Sequence, residues 1–172
     1  MTLAPAPSRS RSRWRLAAAA SALLAALLPG PAAAGPSCLR VAGQGQRRCW
    51  FLPAGTFGLS WVHSVERTWW RESYRLGPDG GVLLTASDFA SAGAGLPDRL
   101  GPGERFRLAH GRMRIEGRRV PVGILRVRLS TLSHHLLNVA DRDVDLTSLF
   151  GEGLVTIRGE PPTGGNRCEC RR

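Results

Sequence analysis

Between Phe57 and Phe89 apolar and polar residues alternate in short runs broken by turn formers, a pattern that confines this chain to a β architecture. Phe57, Leu59, Trp61, His63 and Val65 fall on one side of a run ending at Glu66, with Gly58, Ser60, Val62 and Ser64 on the other. Trp69 to Leu76 alternates again and sets Trp70, Glu72, Tyr74 and Leu76 together. A hairpin turning at Arg67-Thr68 opposes Leu59 to Leu76, Trp61 to Tyr74, His63 to Glu72 and Val65 to Trp70. Slipping by one residue would bring Arg71 and Arg75 onto the apolar side, so the pattern holds them off it. Pro78-Asp79-Gly80-Gly81 is a turn signal, and Val82–Phe89 follows as a third strand.

Downstream, strands are expected at Phe106–His110, Arg112–Ile115, Val120–Val122, Ile124–Leu132, His135–Val139, Asp143–Val144 and Leu154–Arg158. Glu116-Gly117-Arg118-Arg119 has the composition of a hairpin turn, and Asp145 is placed to cap a short helical turn through Phe150. Strands this short with turns this frequent predict an all-β fold, a small antiparallel sandwich or partly open barrel with at most one short helical turn. The chain divides into a signal peptide over 1–34, a lead-in over 35–56, one β domain over 57–160 and a polar tail over 161–172.

The signal peptide follows from Arg9, Arg11, Arg13 and Arg15 ahead of the uncharged stretch from Leu16 to Leu28, a Pro29-Gly30-Pro31 break and Ala32-Ala33-Ala34. The apolar run is too short to span a bilayer, which needs about 20 residues; retention as an N-terminal anchor is the alternative to cleavage near Ala34. A periplasmic or secreted location follows, and there disulfides persist. Cys38 and Cys49 are expected to pair with Cys168 and Cys170, since the last two are too close in sequence to bridge one another without strain. The rival, a zinc site, lacks the usual ligand spacing. The chain has a formal net charge of +11 and no lysine. That charge favours anionic partners, whereas nucleic acid is not expected for an exported chain without interleaved aromatics.

Four groups of residues are candidates for function. His63 with Glu72 could form a polarised base or orient a metal, against the plainer reading of a buried polar pair that fixes register. Ser64 and Glu66 flank them on the opposite side of the same strand, so Ser64 cannot use His63 as its base. The Ser91–Pro97 run, with Gly93, Gly95 and Pro97, could present backbone N–H groups to an anion or be a tight loop. Arg112 and Arg114 share one side of their strand and Arg126 and Arg128 one side of theirs. If the two strands are neighbours, the four form an arginine patch for anionic lipid or an acidic partner; otherwise they are ordinary solvated positions. His134-His135 diverge on a strand and chelate poorly. No catalytic residue, cofactor or metal ligand set is identified.

FGLSWVHSVERT over Phe57–Thr68, Glu72, and SAGAGLP over Ser91–Pro97 resemble domain-of-unknown-function family 1850, a family of exported bacterial proteins. Where that family usually has Pro-Val before its acidic residue, this chain has Trp69-Trp70, and Arg71 stands where a second acid often lies. The resemblance implies a non-enzymatic periplasmic accessory role beside a TRAP-type transporter, particularly one with a TAXI-type binding protein. Its partner would be the permease, the solute-binding protein or the solute. Two alternatives remain: a small metal-dependent or acid–base enzyme centred on His63 and Glu72, and an envelope module that binds anionic lipid or polyanion through an arginine face.

Overall fold

The computed structural model describes residues 37–90, 99–162 and 168–170, so the Ser91–Pro97 run and the signal peptide lie outside the described residues. The strands are β1 (Ser37–Gly43), β2 (Gln46–Leu52), β3 (Thr56–Val62), β4 (Trp69–Leu76), β5 (Val82–Phe89), β6 (Arg105–Ala109), β7 (Arg112–Gly123), β8 (Leu125–Leu129), β9 (Leu136–Val139), β10 (Arg142–Asp145) and β11 (Gly153–Glu160). A single turn of helix, α1 (Leu146–Phe150), separates β10 from β11 and is capped at its N-terminus by Asp145, as the sequence predicts. The strands form two antiparallel sheets, a small one in the order β2-β1-β11-β8 and a large one in the order β10-β9-β3-β4-β5-β7-β6. This is the expected all-β sandwich, and it is not a closed barrel.

Period-2 alternation builds the core between the sheets. Leu39, Val41, Leu52, Val127, Leu129, Val155 and Ile157 of the small sheet meet Phe57, Leu59, Tyr74, Leu76, Val82, Leu84, Leu137 and Val139 of the large one. Leu146 and Phe150 of α1 join the same cluster. The β6–β7 end of the large sheet is left open on this face: Phe106 and Leu108 are exposed. No helix among the described residues is long and apolar enough to cross a membrane.

Two disulfides hold the tail against the small sheet. Cys38 pairs with Cys168 and Cys49 with Cys170, so all four thiols are consumed in the arrangement anticipated from sequence. The segment read as a lead-in contains β1 and β2, half of the small sheet. Leu39 and Val41 face inward while Arg40 and Ala42 face outward, and Gln44-Gly45 turns the hairpin with positive φ at both residues.

Three expectations change. The loop between β3 and β4 runs from His63 to Thr68, closed by His63 N–H donating to Thr68 C=O at 2.9 Å and Arg67 N–H donating to His63 C=O at 2.9 Å. Leu59 therefore opposes Glu72 and Trp61 opposes Trp70, a slip of four residues from the expected register. His63 is not opposite Glu72, and Val65 is 74% exposed rather than on the apolar side. Second, Glu116–Arg119 is no hairpin turn. β7 continues through it as a bulge, where the pairing with β5 jumps from Ala86–Glu116 to Leu84–Val120. Gly117 takes φ of +75° there, and a Cβ on it would lie 2.3 Å from the Gly103 carbonyl oxygen, so glycine is required on both counts. Third, β7 and β8 belong to different sheets, so Arg112 and Arg114 do not share a surface with Arg126 and Arg128.

Candidate functional site

The large sheet carries a polar chain on each face. On the inner face, Glu72 of β4 accepts a short hydrogen bond from the Tyr74 hydroxyl and a long one, 3.5 Å, from the Ser87 hydroxyl. The β7 bulge turns Arg118 inward, where its Nη1 donates to Ser87 Oγ at 2.7 Å and its Nε pairs with Glu104 at 3.1 Å. Tyr74 and Ser87 are buried, and the side chains of Arg118 and Glu104 keep only 15% and 9% exposure. Burial first, and then the adjacent Glu72 carboxylate, push the Tyr74 phenol far above its ordinary value, against a smaller opposing pull from Arg118. The phenol is therefore a fixed donor. Largely withdrawn from solvent, these five residues bond one another and clasp β4, β5 and β7.

His63 lies away from this clasp. Its Nδ1 accepts a 3.4 Å bond from the Glu66 N–H, and its ring stacks on Trp70 at 5.4 Å. Trp70 belongs to a row of rings at matching register, His135–Trp61–Trp70–Phe89, with centroid separations of 6.2, 6.1 and 4.9 Å. His63 thus caps its own loop and ends an aromatic stack, with Ser64 exposed and Glu66 half-buried at the loop tip. His135 is buried in that row, and burial lowers its pKa.

On the outer face a second chain crosses from β10 to β4. Asn138 Nδ2 donates to Asp143 Oδ1 at 2.6 Å, Ser60 Oγ donates to Asn138 Oδ1 at 2.8 Å, and Arg71 Nε donates to Ser60 Oγ at 3.1 Å. Each donor points toward the carboxylate, so the line is polarised from cation to anion. Gly58, beside it on β3, leaves the space that Asn138 fills: a Cβ at Gly58 would lie 2.8 Å from Asn138 Oδ1. The chain borders an open groove of about 760 Å³, lined by Gly58, Arg71, Ser73, Thr85, Asp141 and Asp143 among others. The β9–β10 turn at its edge places Ala140 and Asp141 at positive φ of 45° and 61°. A two-residue turn asks for that geometry, but neither residue adopts it as readily as glycine.

Further along this face, Asp88 is held by Arg112 at 2.5 Å and by Arg114 at 3.7 Å, and Arg114 also approaches Glu116 at 3.9 Å. The arginines anticipated as an anion patch on β7 are thus neutralised locally. Arg126 and Arg128 of β8 are exposed on the small sheet. Sequence reasoning placed Glu72 among the candidates but missed its partners Tyr74, Ser87, Arg118 and Glu104, and missed the chain that ends on Arg71. Only the alternation that sets Arg71 on the polar side of β4 was visible, because Ser60 and Asn138 are 78 residues apart in sequence.

The fold and groove define a class: an antiparallel β-sandwich whose larger sheet presents a solvent-open polar groove. A family model for DUF1850, a domain of unknown function, matches residues 57–146, just over half of the chain, and the chain belongs to that family. The matched segment contains every strand of the large sheet from Phe57 on, and with them most of the groove's lining, the rest coming from Leu52 to Thr56. Comparison with curated proteins and with solved structures gives no significant match.

Proposed function

We propose that the protein is an exported, periplasmic binding module that acts as an accessory to a TRAP-type solute transporter and engages the permease, the solute-binding protein or the solute. The groove on the large sheet carries this reading. Most of its lining lies within the family segment, it is open to solvent, and it is bordered by side chains already oriented by one another rather than by an acid–base pair. Two disulfides support an oxidising compartment. The transporter itself enters through the family resemblance.

An acid–base or metal site at His63 and Glu72 has less in its favour. Glu72 is taken up by Tyr74 and Ser87 inside the sandwich, while His63 caps a loop. An anion-binding surface has a specific observation behind it, one that keeps Arg126 and Arg128 of the expected patch and replaces Arg112 and Arg114. Arg40, Arg126, Arg128 and Arg158 share the outer face of the small sheet, where Glu160 pairs with Arg40 at 2.6 Å and Arg158 at 3.0 Å. Sedimentation with phosphatidylglycerol vesicles at rising salt tests that second reading, since charge-driven binding must weaken as ions screen it.

The accessory role is tested by capture from envelope membranes with tagged mature protein. Recovery of a transporter permease or solute-binding protein supports it. A preparation that recovers neither, and stays a lone monomer beside the purified transporter, overturns it.

A further inference from the structure

We propose that Arg71 is the carboxylate receptor of the groove, and that its ligand is a small organic acid carrying hydroxyl or ammonium donors at its far end. This deepens the reading of the groove as a binding site and rests on it. Arg71 makes no ion pair among the described residues. Its cross-strand neighbour is Asp88, the natural partner, but Asp88 is occupied by Arg112 and Arg114. The one side-chain hydrogen bond of Arg71 among the described residues is through Nε, to Ser60, so both terminal nitrogens of its fork are left for the groove it lines.

An exposed arginine usually spends side-chain entropy when it grips a ligand. Here much of that ordering is done in advance. Ser60 is 3% exposed and held by Asn138, and Asn138 is held by Asp143. A guanidinium fixed at Nε presents two parallel N–H bonds, the geometry that matches a carboxylate. Arg75, four residues along on the same side of β4, is not among the residues lining the groove, which leaves Arg71 as the guanidinium that β4 presents to it.

The opposite wall narrows the ligand. Asp141, Arg142 and Asp143 stand there, so the groove's lining balances two arginines against two aspartates. An inorganic dianion gains little net attraction from a balanced site, and a second carboxylate would meet the aspartates. A molecule with one carboxylate for Arg71 and donors for the acidic wall satisfies both ends. The groove's volume lies in the range of small-molecule sites, roughly 300–1,000 Å³.

The test is calorimetry on the mature, disulfide-intact protein with lactate, glycerate, serine and lysine, and with succinate and inorganic phosphate as contrasts. Arg71→Gln removes the receptor. Arg71→Lys keeps the charge but not the fork, and Arg126→Gln removes a charge elsewhere. The expected result is saturable binding of at least one of the first four probes, weakened tenfold or more in both Arg71 variants and unchanged in Arg126→Gln. Melting curves confirm that the variants are folded. Equal binding of phosphate or succinate, binding indifferent to Arg71, or no binding of any probe overturns the inference. Capture of a transporter component by wild-type protein that binds no carboxylate leaves the accessory role standing and removes only this ligand. Failure of both experiments removes the groove as a site altogether.

Discussion

The two faces of the large sheet use the same chemistry for opposite ends. Each carries a chain of hydrogen bonds that runs through a buried serine to an arginine, Ser87 to Arg118 inside and Ser60 to Arg71 outside. Inside, the arginine closes on Glu104 and forms an ion pair within the fold. Outside, the arginine has lost its natural partner to two competitors and its fork faces solvent. Burial decides the difference. A charge with little access to water must be paired within the fold, whereas one at the surface is hydrated and can wait for a ligand. The inner chain is therefore structure and the outer chain is available for function.

The sharpest way to break this contrast is to remove the two arginines in turn. Arg118→Ala strands the Glu104 carboxylate and takes a donor from Ser87. Breaking such a pair in a nearly buried setting is expected to cost about 3 kcal/mol. Arg71→Ala, at an exposed position, should stay within about 0.5 kcal/mol of wild type. Urea midpoints measure both, and equal losses would erase the distinction between the faces. The bulge that delivers Arg118 gives the next effect: Gly117→Ala forces a Cβ against the Gly103 carbonyl at positive φ, and should cost about 2 kcal/mol.

Tyr74→Phe follows, at about 1 kcal/mol, because Glu72 loses the shorter of its two hydrogen bonds. It also carries a pH signature. The phenol's pKa is raised above its ordinary value of 10.0, so the unfolded chain releases this proton first as pH rises. The stabilisation is complete below about pH 10 and falls away above it, with a slope that rises toward about 1.4 kcal/mol per pH unit. Denaturation followed from pH 9 to 11 should show that slope in wild type and lose this component of it in Tyr74→Phe. His135 acts at the acid end with the opposite order. Burial lowers its pKa, so the unfolded chain takes up a proton first on acidification. Stability from this residue is present above about pH 6.5 and declines below it. His135→Phe should keep the stack on Trp61 and remove this component of the acid loss; an unchanged acid limb would assign the decline to other groups.

The bounds of β4 and β5 were legible because clean alternation and a strong Pro-Asp-Gly-Gly turn frame them. Alternation also assigned each residue of β3 and β4 to its proper face. It could not set their register, because a period of two leaves slips of two or four residues equally consistent with the pattern. The choice rested with the loop, where Arg67 adopts φ of 56° to close four residues instead of two. The bulge at Gly117 was read as a turn because glycine at positive φ serves both. β1 and β2 were overlooked although Leu39 and Val41 alternate with Arg40 and Ala42, since the short run is followed by Gln-Gly and two arginines. The outer chain depends on β9 lying beside β3, a topological fact with no local trace.

The smallest and most discriminating change is Asn138→Ala. It leaves every charge in the groove in place and removes only the link between Ser60 and Asp143. Ser60 can then turn, and Arg71 loses its fixed anchor while keeping its charge and its exposure. Asn138 is half-buried near the surface, where water can replace what is lost, so the expected cost in stability is under about 1 kcal/mol. If orientation makes Arg71 a receptor, carboxylate binding by Asn138→Ala should weaken several-fold at nearly unchanged stability, and the salt dependence of what remains should match wild type, since the charges are the same. If binding survives intact, the groove attracts its ligand by charge alone and the polarised chain is no more than surface structure. A large fall in stability would instead place this outer chain in the same category as the inner clasp, and the two faces of the sheet would no longer differ.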